Sequence, residues 1–132
     1  MAWCNSTHDD PFEGAIEVAV DEAQKNLKVL GEGRNRITFE LNDRFVLKVP
    51  LNEYGVLDNE TEAKMYRNRS DGDIRLARCR KVLNSFGLPL LVMERVDIDS
   101  VESLELPHWV DFIDCSQVGY TKKGELVAYD YA

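Results

Sequence analysis

The stretch Ile37-Thr38-Phe39-Glu40-Leu41, Asn42-Asp43, Arg44-Phe45-Val46-Leu47-Lys48-Val49 decides how the rest of the chain is read. Ile37, Phe39 and Leu41 alternate with Thr38 and Glu40, the period of two expected of a strand with one buried face. Asn42-Asp43 supplies turn chemistry, the run from Arg44 returns as a second arm, and Pro50 closes it because it cannot donate to a ladder. This is an antiparallel hairpin.

Upstream, Gly31-Glu32-Gly33 separates the hairpin from a helix expected over 11–28. Asp10 stands as its N-cap, Pro11 as its first residue and Glu13 as a capping-box acid, while Ile16, Val20, Ala23 and Leu27 recur on one face. Downstream, a loop through Tyr54 and Gly55 leads to Asn59, read as the N-cap of a helix over 59–70 with Glu62 at N3. Ser70-Asp71-Gly72-Asp73 breaks that helix. Two β-like runs, 76–83 and 88–96, flank the turn-prone Asn84-Ser85-Phe86-Gly87 and suggest a second hairpin. The stretch 97–107 is acidic and aperiodic, and Pro107 opens a short helical turn through Trp109 and Phe112. A third hairpin joins Gln117-Val118-Gly119-Tyr120 to Leu126-Val127-Ala128-Tyr129 across Thr121-Lys122-Lys123-Gly124. The fold class is α+β, with an antiparallel sheet of about five strands plus a terminal hairpin. One domain over 1–132 is expected, divided into an acidic N-terminal helix (1–28), a sheet-and-helix body (29–97) and a link with the C-terminal hairpin (98–132).

At 132 residues, 44% of them hydrophobic, the chain has the size of one compact domain. Its net charge of −8 argues against binding nucleic acid through phosphate neutralisation. The charge is uneven: residues 1–24 carry −6, residues 25–96 carry +4 and residues 97–132 carry −6. Acidic flanks on a basic middle point to internal pairing or to an acidic face offered to a basic partner. No run of 18 apolar residues and no basic-then-apolar leader is present, so the expectation is a cytoplasmic protein without membrane contact. Cys4, Cys79 and Cys115 are too few and too scattered for a disulfide framework and are expected to be reduced. The N-x-S/T tripeptides at Asn5, Asn59 and Asn68 carry no weight without a secretory signal. His8 and His108 lack neighbours at metal-ligand spacing, and His108 with Cys115 has no third group to complete a nucleophilic site.

Five segments, in order, resemble the small lobe of the protein-kinase-like fold. Leu30-Gly31-Glu32-Gly33-Arg34-Asn35-Arg36-Ile37 is similar to the glycine-rich turn G-x-G-x-x-G-x-V, with Arg36 where the third glycine would stand. That arginine either narrows the phosphate space or adds a cationic contact. Phe45-Val46-Leu47-Lys48-Val49 resembles V-A-I-K, which implies that Lys48 holds nucleotide phosphates; a snorkelling lysine at a sheet edge is the plain alternative. Glu62 resembles the helix glutamate that pairs with that lysine, and is equally the capping-box acid of its helix. Leu90-Leu91-Val92-Met93-Glu94-Arg95-Val96 resembles the fifth strand and hinge, which implies that Met93 backs the adenine pocket and that Glu94 and Val96 offer backbone groups to a purine. The end, Tyr129-Asp130-Tyr131-Ala132, looks like D-F-G, which implies a magnesium-binding role for Asp130.

The resemblance stops short of catalysis. The catalytic loop H-R-D-x-x-x-x-N has no counterpart in the sequence: Gln117 stands where the Asn would, Phe112 stands five residues earlier, and Asp111 and Asp114 flank the register. The expectation is a truncated, non-catalytic kinase-like protein that binds and inhibits or regulates another protein, as a phage-encoded inhibitor of a host enzyme or defence system would. Trp109, Phe112, Tyr120, Tyr129 and Tyr131 are the candidate partner contacts, and a homodimer or the N-terminal helix would shield the open face. Two alternatives remain. One is a minimal ATP/Mg phosphotransferase or nucleotide sensor, with weak nucleotide affinity and Asp111 or Asp114 as base; the other is an acidic nucleic-acid mimic.

Overall fold

A computed structural model describes residues 12–69, 75–101, 106–107, 109–110 and 117–132. Helix α1 (Glu13–Asn26) leads into strand β1 (Lys28–Glu32), then β2 (Arg36–Glu40), β3 (Phe45–Pro50), helix α2 (Glu53–Arg67), β4 (Cys79–Leu83), β5 (Pro89–Glu94) and a small hairpin of β6 (Val118–Tyr120) and β7 (Leu126–Ala128). The main sheet has the order β1-β2-β3-β5-β4 and is antiparallel throughout. This is the expected α+β class: five strands, a terminal hairpin, and a helix between the third and fourth strands.

The hairpin read from 37–49 is present, with Thr38 opposite Lys48. Its turn is held by Asn42, whose Oδ1 accepts from the backbone N–H of Arg44 (2.8 Å) and Phe45 (2.9 Å). The later hairpins are also present, and their turns place Gly87 and Gly124 at positive φ, 77° and 85°, where a side chain would be strained. Two isolated bridges, Leu76 with Ala128 and Asp97 with Tyr120, attach the small hairpin to the body.

Strand alternation sorts the side chains onto two faces. Ile37, Phe39 and Val49 point to one, where they pack with Ile16, Ala19 and Ala23 of α1 and with Val56 and Leu88. Val46, Leu91 and Met93 point to the other, with Ala63 of α2, Ala77 and Val127. The N-terminal helix therefore lies on the face opposite Lys48 and does not shield the open side. Its apolar stripe is as read, with Ala19 joining Ile16 and Ala23 while Val20 and Leu27 are half-buried.

Three boundaries are corrected. The first helix ends at Asn26 rather than 28, because Leu27 turns extended and Lys28 begins a strand that pairs with β2. That strand was not separated from the glycine-rich turn in the sequence. Its N-cap is Phe12 without a side-chain bond, so Glu13 opens the helix instead of completing a capping box; Asp10 and Pro11 lie outside the described residues. The second helix begins a full two turns earlier than expected: Asn52 is its cap, accepting from Gly55 N–H at 3.0 Å, and Tyr54, Gly55 and Asn59 are helical. Among the described residues no helix is long and apolar enough to cross a membrane.

Candidate functional site

The face of the sheet carrying Lys48 opens into a cleft of about 1270 Å³. Gly31 and Gly33 line one wall, Met93, Glu94 and Val96 another, and Lys48 and Asp130 the floor. Residues spread over a hundred positions are thus brought to one concavity, because β1, β2, β3 and β5 are neighbours or near-neighbours in the sheet and the chain returns past β7. Glu62 sits behind the floor rather than in the cleft wall.

Glu62 is fully buried and settles its own two readings. It lies in the third turn of α2, where no cap is possible, and its carboxylate accepts from Lys48 Nζ at 3.0 Å. Arg36 adds a bidentate bond, Nη1 to Oε1 at 2.6 Å and Nη2 to Oε2 at 3.1 Å. The backbone N–H groups of Tyr131 (2.8 Å) and Ala132 (3.1 Å) donate to Oε2 as well. Burial alone would raise the pKa of this carboxyl; the Arg36 hydrogen bond and the Lys48 and Arg36 charges outweigh that and hold it below its ordinary range.

Arg36 is the residue whose role the sequence did not reveal. It shares a strand face with Thr38 and lies 8% exposed, turned inward rather than toward a phosphate. Besides Glu62 it donates to Asn59 Oδ1 at 3.1 Å and to Asp130 Oδ1 at 2.8 Å. Asn59, which helix-cap reasoning placed at a terminus, is buried in the helix interior, and its amide donates to the carbonyls of Lys48 (3.1 Å) and Pro89 (2.9 Å). With the bond accepted from Arg36, its amide ties α2 to three strands, β2, β3 and β5. The signal available for Arg36 was alternation: Ile37 and Phe39 face the apolar core, so Arg36 must face the side of Lys48.

Lys48 is buried and is not a snorkelling edge residue. Its ammonium donates to Glu62 and to the carbonyl of Tyr129. Burial pushes its pKa down, Glu62 opposes, and Arg36 pushes further down. Asp130 is 41% exposed at its side chain; burial raises its pKa while Lys48 and Arg36 work against the rise.

The magnesium role expected of Asp130 does not fit these residues. Its Oδ1 is held by Arg36, Glu62 already receives five donors, and among the described residues no group of three or more metal-ligating side chains exists. At the hinge-like wall, the N–H of Glu94 is taken by the carbonyl of Arg78 at 2.8 Å. Gly31 and Gly33 do line the cleft, yet neither needs a positive φ, and a Cβ on Gly31 would meet nothing within 4 Å. The turn between them and Arg36 is bolted down: Leu51 N–H donates to Asn35 O at 2.8 Å, and Asn35 Nδ2 reaches Asp58 Oδ2 at 3.4 Å.

Of the aromatic residues considered as partner contacts, Tyr131 packs inward, its hydroxyl donating to Ala77 O (3.0 Å) and lying 3.0 Å from the Cys79 thiol. Burial raises the pKa of both groups. Tyr129 packs beside it, Trp109 packs on Val110, Val118 and Ala128, and Tyr120 lines the cleft. Phe112, Asp111 and Asp114 lie outside the described residues.

No protein-family model matches the chain, and comparison with curated proteins gives no match. Among solved structures, the chain is similar to the APH(2")-IIa ternary complex with streptomycin and ATP, at 20% identity and a TM-score of 0.42 over 61% of this chain. It is also similar to the GDP complex of a mutant aminoglycoside 2'-phosphotransferase-IIIa, at 15% identity and a TM-score of 0.39 over 64% of this chain. The matches span 28% and 30% of those chains.

Proposed function

We propose that this chain is a non-catalytic kinase-like protein that acts by binding another protein. The observation that carries the reading is that Arg36 bridges Glu62 and Asp130, so the aspartate a phosphoryl-transfer site would direct at metal and phosphate is held by a cation of the chain itself. The cleft lining supports a basic partner segment: with Arg36, Lys48 and Asp130 engaged in the network, six carboxylates line it against three cations. A phage-encoded inhibitor of a host enzyme is one particular form of this reading.

The test has two parts. Incubated with Mg-ATP, the protein is expected to release and transfer no more phosphate than its Lys48→Met variant; turnover that disappears in that variant would end the non-catalytic reading. In fluorescence anisotropy, a lysine-rich peptide should bind more tightly than a glutamate-rich one, and weaken as salt rises. Equal affinities would remove the basic-partner assignment.

A second reading, nucleotide binding without turnover, is favoured by the convergence of Gly31, Gly33, Lys48, Met93 and Val96 on one cleft. Nucleotide is then expected to raise the melting temperature saturably, and the rise should shrink in Gly31→Ala, a change the fold itself has room for. Absence of any rise at millimolar nucleotide would leave the cleft without this role.

A further inference from the structure

We propose that Arg36 is the resident counter-cation of Asp130, so that the cleft excludes a divalent metal and any phosphate-bearing ligand is held there metal-free. The statement about ligand rests on the nucleotide reading above; the statement about metal stands without it.

The geometry leaves Arg36 no freedom to yield. Its two terminal nitrogens bond Glu62 twice, Asn59 once and Asp130 once, and the side chain is buried. Asp130 is the only one of these partners that reaches solvent, with 41% of its side chain exposed. A divalent ion approaching its outer oxygen would stand beside the Arg36 guanidinium and within the field of the Lys48 ammonium, both of which act on Asp130. To displace Arg36 it would have to strip one cation from a carboxylate while leaving that cation buried. Among the described residues the other carboxylates that act on Asp130 are Glu62, filled by its five donors, and Asp58, engaged by Asn35 at 3.4 Å. Among the described residues, Asp130 and Asp58 facing two fixed cations make a poor site for an ion that prefers several hard oxygen ligands.

Manganese provides the direct test. With the isotope-labelled protein and millimolar manganese, the wild type is expected to show no selective paramagnetic broadening of the 129–132 amides. Arg36→Met, which leaves Lys48 to neutralise Glu62, should gain such broadening, and Asp130→Asn in that background should lose it. Arg36→Gln, which removes the charge but keeps a side chain that can hydrogen-bond Glu62, serves if Arg36→Met does not fold. Saturable broadening at 129–132 in the wild type that Asp130→Asn abolishes would overturn the proposal. So would the absence of any gain in whichever Arg36 variant folds, since Arg36 would then not be what keeps metal away. In the nucleotide arm, the apparent affinity for ATP should agree within about twofold in EDTA and in excess magnesium. A strict magnesium requirement would refute metal-free binding, whereas no response under either condition would fail the nucleotide reading alone, with manganese deciding the metal claim.

Discussion

Glu62→Gln is expected to lower the melting temperature by roughly 10–20 °C. Glutamine keeps the shape but removes the charge that balances two buried cations, Arg36 and Lys48, which are 8% and 5% exposed. Removing one member of a buried ion network costs about 3–5 kcal/mol, because the remaining charges stay in a medium that solvates them poorly. The amide also brings its own N–H₂ toward a position where Arg36, Tyr131 and Ala132 already donate. Calorimetric or circular-dichroism melting checks this, and a loss of only a few degrees would mean that Glu62 is not the hub described. The pH dependence carries the same sign. Because the folded state holds Glu62 below its ordinary pKa, its contribution is present above the unfolded value of about 4.3 and is lost as pH falls through the lower folded value. The gap between wild type and Glu62→Gln should therefore narrow in acid.

Gly55→Ala should destabilise the protein by at least about 1–3 kcal/mol, although alanine is the better helix former. Gly55 is buried in the first turn of α2, and a Cβ there would lie 2.1 Å from the carbonyl oxygen of Asn35 and 2.9 Å from Cα and Cβ of Pro50. Both obstacles are backbone or a rigid ring, so relief requires the start of α2 to move away from Asn35 and Pro50, and α2 carries Asn59 and Glu62. The matched control is Gly14→Ala in α1, where the added methyl meets nothing within 4 Å and should stabilise by about 0.5–1 kcal/mol. Chemical denaturation of the two variants separates the cases; equal responses would show that the close approach of Asn35 to α2 is not tight.

Much of the architecture was legible because strand alternation and turn residues are local properties. Ile37, Phe39, the Asn42-Asp43 turn and Pro50 act on their immediate neighbours, and the three hairpins follow from such signals. The start of α2 was not legible by the same means. Asn52 and Asn59 are both good caps by composition, and only the burial of Gly55 and Val56 against the sheet selects the earlier one. Strand β1 was hidden because all five of its residues are exposed, which leaves no apolar alternation to read.

The candidate site divides in the same way. The sequence by itself determined which residues could converge: a lysine on a strand, a glutamate on the following helix, a glycine turn before them and an aspartate near the end. It did so through the likeness of its segments to the motifs of the kinase-like small lobe, which implies these roles for the residues that match. Only the tertiary structure decided how their charges are used. Arg36 and Asp130 are 94 positions apart and meet at 2.8 Å, a contact that no local pattern encodes. Because opposite charges removed from water must find one another, that single meeting turns a cleft floor that could face a ligand into one that is neutralised from within.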